Sequence, residues 1–122
     1  MKWYLLAVAA LHLAFMLCEL FPWSYPVLLR IASKKLPEVR GGSAWTERQQ
    51  QLVATIVHNS VIYNAILAGG LFWAALPAEP VRDVARVLLL GAAAAGIFGT
   101  VTLKSPFTAL QALLGLIGFV LL

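Results

Sequence analysis

Four apolar runs, at residues 3–21, 52–76, 84–103 and 106–122, occupy most of this 122-residue chain and limit what it can fold into. Each approaches or exceeds the roughly 17–25 residues that a helix needs to cross hydrocarbon. Inside hydrocarbon the backbone must satisfy its own hydrogen bonds, so runs of this length are expected to be helical. Composition agrees: 61% of the residues are hydrophobic and only 11% are charged. A soluble domain carries about 25% charged residues and, at this size, cannot bury so much apolar surface. An ordinary soluble enzyme, a disordered tail and a disulfide-built domain are excluded. The predicted fold is all-α, a four-transmembrane-helix bundle forming one domain over 1–122, with a long loop at 22–46.

The punctuation between the runs supports helices. Pro22 and Pro26 close the first run. Glu19 inside that run, and the lack of small residues at its exit, argue for a retained span over a cleaved signal peptide. Thr46 and Gln49 fit a capping box, so the second helix is predicted to start near Glu47, ahead of the membrane. Pro77 ends it, and Pro80 suits the first turn of the third helix. Ser105-Pro106 reads as an N-cap followed by proline at the first helical position. Only Lys104 and Ser105 separate the last two runs, which predicts an antiparallel hairpin. In the long loop, residues 27–32 are predicted to form a short interfacial helix.

The charge balance of nine Lys and Arg against five Asp and Glu is concentrated in that loop. It points to topology and anionic lipid rather than nucleic acid. The first and third loops hold Arg30, Lys34, Lys35, Arg40, Arg48 and Lys104, and the opposite side holds Lys2, Arg82 and Arg86. Six against three predicts a cytoplasmic position for those loops, with both termini outside. Cys18 is alone, and no Cys/His ligand spacing occurs, so no metal site is expected. No nucleotide or phosphate motif occurs, so no cofactor is expected either.

Polar residues within spans are costly and tend to face the bundle interior. In the first span these are His12 and Glu19, seven apart and on one face. In the second they are Thr55, Asn59 and Tyr63 at four-residue spacing, with Asn64 beside them. The third carries Thr100 and the fourth Gln111. At about 1.5 Å per residue, Glu19, Thr55, Asn59, Thr100 and Gln111 all fall within roughly 10 Å of the cytoplasmic end, and His12 and Tyr63 near the bilayer centre. This clustering predicts a polar-lined cavity open toward the cytoplasmic side, with an apolar far end. Ala92, Gly96 and Thr100, with Gln111, Gly115 and Gly118, form small-residue patterns that allow close helix packing.

Several stretches resemble the family of small bacterial membrane proteins catalogued as domain of unknown function 1304. His12 and Glu19-Leu20-Phe21-Pro22-Trp23 are similar to the family's His and Glu-x-Phe-x-Trp pattern. Asn59-Ser60-Val61-Ile62-Tyr63-Asn64 is similar to Asn-Gln-Gly-x-Tyr-Asn, with Ser60 and Val61 in place of Gln-Gly. Ala95-Gly96-Ile97-Phe98-Gly99-Thr100-Val101-Thr102 is similar to Ala-Gly-Ile-Tyr-Gly-x-x-Thr, and Gln111 follows in the fourth run. The resemblance implies a four-helix membrane protein of the bacterial inner membrane. It groups His12, Glu19, Asn59, Tyr63, Asn64 and Gln111 into one pattern.

The expected function is acid–base chemistry on, or binding of, a hydrophobic small molecule such as an isoprenoid, sterol-like or quinone-like compound. Epoxide opening or isomerisation needs only such groups. Glu19, His12 and Tyr63 are the candidate catalytic residues. Asn59, Asn64, Thr100, Gln111 and Trp23 are the candidate substrate contacts. One alternative is a proton-coupled exporter working as a homodimer, because four helices leave little room for alternating access. Another is an accessory membrane subunit.

Overall fold

The computed structural model describes residues 1–21 and 46–122. The described residues form four α-helices: α1 (Lys2–Leu20), α2 (Glu47–Ala75), α3 (Arg82–Leu103) and α4 (Pro106–Leu121). The first three are long and apolar enough to cross a membrane. The 16 residues of α4 span about 24 Å, somewhat less than a hydrocarbon core of about 30 Å. The fold is an all-α four-helix bundle of the membrane type. The interfacial helix expected at 27–32, and Trp23, lie outside the described residues.

Helix ends follow local chemistry. The Thr46 hydroxyl accepts from the Gln49 N–H at 3.3 Å, and the Gln49 side chain accepts from the Thr46 N–H at 3.0 Å. This closes the predicted capping box and starts α2 at Glu47. Ser105 caps α4, its hydroxyl accepting from the Phe107 N–H at 3.3 Å, with Pro106 in the first turn. Lys104 turns the chain between α3 and α4 by taking left-handed backbone angles, φ 52°. One expectation is corrected: α3 begins at Arg82, so Pro80 lies before the helix. The Val81 N–H instead donates back to the Ala74 carbonyl at 3.0 Å, which folds the α2–α3 turn onto the end of α2.

The helices pack as two antiparallel hairpins, α1–α2 and α3–α4, with a lighter seam between them. Glycine explains the closeness of the second hairpin. A Cβ on Gly96 would stand 2.8 Å from the Thr108 carbonyl and 2.7 Å from Ala112 Cα. One on Gly115 would stand 2.7 Å from the Leu89 carbonyl. Backbone therefore lies on backbone, as the small-residue spacing predicted.

The core is asymmetric along the bundle. At the end where both chain termini lie, Leu5, Val8, Ala9, Leu71, Ala74, Ala75, Ala85, Leu89 and Leu122 form one buried cluster. Toward the other end, α1 has no buried residue after His12, and α2 has none before Asn64. The α3–α4 hairpin, by contrast, stays buried from Ala85 as far as Gly99. The bundle is thus packed tight at one end, while the α1–α2 hairpin leaves its residues half-exposed at the other.

Because a Cβ at position 96 meets main chain that cannot give way, Gly96→Leu should lower the melting temperature in detergent sharply. The cost expected is at least the ~1–3 kcal/mol of an overpacked core. Gly69 has nothing within 4 Å of its added Cβ, so Gly69→Ala should melt within a degree or two of the parent, since open surface changes usually stay within about 0.5 kcal/mol.

Candidate functional site

The site begins where the tight core stops. Glu19 comes from the last turn of α1 and Asn64 from the middle of α2. The Asn64 side-chain amide Nδ2 donates to Glu19 Oε2 at 2.7 Å, at the short end of the normal N–H···O range. Glu19 is half-buried, and Asn64 is only 4% exposed. Antiparallel packing explains the meeting. Helical side chains lean toward the helix N-terminus, so Glu19 reaches back along α1 to the level at which Asn64 leaves α2. The bond occupies only Oε2, and among the described residues Glu19 Oε1 has no hydrogen-bond partner.

His12 lies two turns deeper on α1 and is 1% exposed. Its Nδ1 is 2.9 Å from the Val8 carbonyl. A carbonyl only accepts, so Nδ1 carries the proton and, in the neutral ring, Nε2 is a bare acceptor. Phe15 stands edge-on to the ring, with centroids 6.0 Å apart. Two buried side-chain atoms lack partners among the described residues: His12 Nε2 and Asn64 Oδ1. Such atoms are rare in folded proteins, and each calls for an explanation.

The other expected residues separate into two groups. Gln111 is buried in α4, and its amide makes no hydrogen bond among the described residues. Tyr63 is committed elsewhere: its hydroxyl donates to the Gly91 carbonyl at 2.9 Å, tying α2 to α3. Thr100 is committed too, donating to the Gly96 carbonyl at 2.7 Å with Thr108 Oγ1 at 3.3 Å. Asn59 and Thr55 lie on an exposed stretch of α2. Of the two asparagines expected as substrate contacts, Asn64 is the one that bonds Glu19, and Asn59 is not. A four-residue spacing marked Thr55, Asn59 and Tyr63 as one face, but the hairpin turns the adjoining face, with Asn64, toward α1.

Sequence reasoning missed Tyr4. Its hydroxyl donates to the Leu114 carbonyl, and its ring lies against Gly118. No motif marks it, because its partners are a carbonyl and a glycine.

The fold and this polar pair define a small helical membrane protein with one carboxyl held between two of its helices. The chain belongs to the family described as protein of unknown function (DUF1304), whose pattern it matches over residues 6–122. No curated protein and no solved structure matches it.

Removing the Tyr63 hydroxyl should loosen the seam without touching Glu19. Tyr63→Phe is expected to lower unfolding free energy by about 0.6 kcal/mol, the average for hydrogen bonds between membrane helices. For Glu19 and Asn64, a double-mutant cycle with Glu19→Gln and Asn64→Leu should give a coupling of about 0.5–3 kcal/mol. A coupling of zero would mean that the bond contributes nothing to folding.

Proposed function

We propose that this protein binds the polar end of a hydrophobic small molecule at Glu19 and Asn64 and exchanges a proton with it through Glu19. The observation that carries this reading is the carboxyl–amide pair at the edge of the packed core. Asn64 holds Oε2 and so orients the carboxyl, and Oε1 remains for the ligand. Intramembrane carboxyls are expensive and are generally kept for function. Acid–base work of this kind needs one positioned group within hydrogen-bond reach of the ligand. His12, deeper on the same helix, and Gln111 on α4 are proposed as further polar contacts.

The apolar body has a place on the same hairpin. Leu6, Ala9, Ala10, Leu13, Ala68, Gly69 and Phe72 line a groove of about 450 Å³ between α1 and α2. Ala68 is one turn from Asn64, so a molecule with its head at Glu19 has apolar surface to lie along. The protein is proposed to sit in the bacterial inner membrane with both termini outside. Counting basic residues supports that orientation.

Native mass spectrometry of protein extracted from its own membrane in mild detergent tests this reading. A small molecule should remain bound to the wild type and fall about tenfold or more in Glu19→Gln, since hydrogen bonds to charged groups contribute about 1.5–3 kcal/mol. Equal retention by both proteins would remove Glu19 from the site.

A further inference from the structure

The polar atoms that Glu19, Asn64 and His12 leave unspent share one sign. Asn64 donates its amide N–H to Glu19, which leaves Oδ1 as a buried acceptor without a partner. Glu19 Oε1 is an acceptor outside any hydrogen bond among the described residues. His12 spends its one ring proton on the Val8 carbonyl, and Nε2 is a buried acceptor without a partner. Tyr63 and Thr100 have no proton to offer, because Tyr63 donates to Gly91 and Thr100 to Gly96, while the half-buried Ser60 hydroxyl, one turn from Asn64, can both donate and accept. Acceptors left bare in a low-dielectric interior are costly. Against these three atoms a ketone, ether or epoxide would only add another acceptor. A carboxylate among them calls for positive charge.

We infer that the ligand's polar end is a protonated primary or secondary amine, received by Glu19 Oε1 and Asn64 Oδ1, with His12 Nε2 as a further acceptor deeper on α1. This rests on the reading of Glu19 and Asn64 as the polar end of the site and adds the ligand class. Asn64 Oδ1 and Glu19 Oε1 belong to side chains already bonded to each other, so one ammonium with several N–H donors can reach both. An alcohol has a single proton and no charge. A quaternary ammonium has the charge and no N–H.

Calorimetric titration of the wild type in phosphatidylcholine nanodiscs separates these cases with three probes: dodecylamine, dodecanol and dodecyltrimethylammonium. Empty nanodiscs give the partition background. Dodecylamine should bind at least about tenfold tighter than either of the others. Its binding should weaken about tenfold in Glu19→Gln and in Asn64→Leu, each checked for helicity and melting. The wild-type comparison stands even if a variant does not fold. Equal binding of dodecylamine and dodecyltrimethylammonium would overturn the donor argument. Dodecanol binding that matches the amine and still depends on Glu19 would overturn the amine while leaving the site standing. Absence of any Glu19-dependent binding would overturn both.

Discussion

A polar atom surrounded by hydrocarbon has only the protein to bond to, and the arrangement of this bundle follows from that constraint. Most hydroxyls in the spans answer it locally. Thr55 donates to the Gln51 carbonyl, Thr100 to Gly96, Thr102 to Phe98 and Thr108 to Ser105. Each bonds back to the preceding turn of its own helix or to its own cap, and needs no neighbour. Glu19 is too long and too strongly acceptor-like for that solution. It is met by a second helix, and Asn64 supplies the donor. Of Glu19, Asn64 and His12, the bonds made leave over one carboxyl oxygen, one amide oxygen and one imidazole nitrogen.

The two hairpins divide structural tasks. In α3–α4, Gly96 and Gly115 bring backbones together, and dispersion between closely packed atoms holds them where the hydrophobic effect gives no help. That hairpin is packed over most of its length. In α1–α2 the packing stops at His12 and Asn64. The polar pair therefore sits on the hairpin whose packing stops short, where α1 and α2 leave their residues half-exposed.

Much of this was legible in the sequence. Thr46, Gln49, Ser105 and Pro106 announced helix starts because capping is local chemistry, complete within four residues. The close α3–α4 approach was legible because glycine spacing reports it directly. Glu19 and His12 were singled out by their cost in a span. The pairing of Glu19 with Asn64 instead of Asn59 was not legible. It depends on the register and rotation of α1 against α2, and a 100° step of the helix moves the inward face from one residue to the next. Tyr63 looked catalytic for the same reason: the sequence does not reveal that the Gly91 carbonyl stands within reach of its hydroxyl.

The hydroxyls of Tyr4 and Tyr63 are the side-chain hydrogen bonds that join one hairpin to the other among the described residues, and both end on main-chain carbonyls. Alanine at Leu114 or Gly91 would therefore pass over both stitches without registering them, because both positions keep their carbonyls whatever side chain they carry. Gly91 even has open space where a Cβ would go. The two hydrogen bonds are written on one side only, in two aromatic residues of α1 and α2, while the receiving side needs only its main chain and, at Gly118, room for the Tyr4 ring.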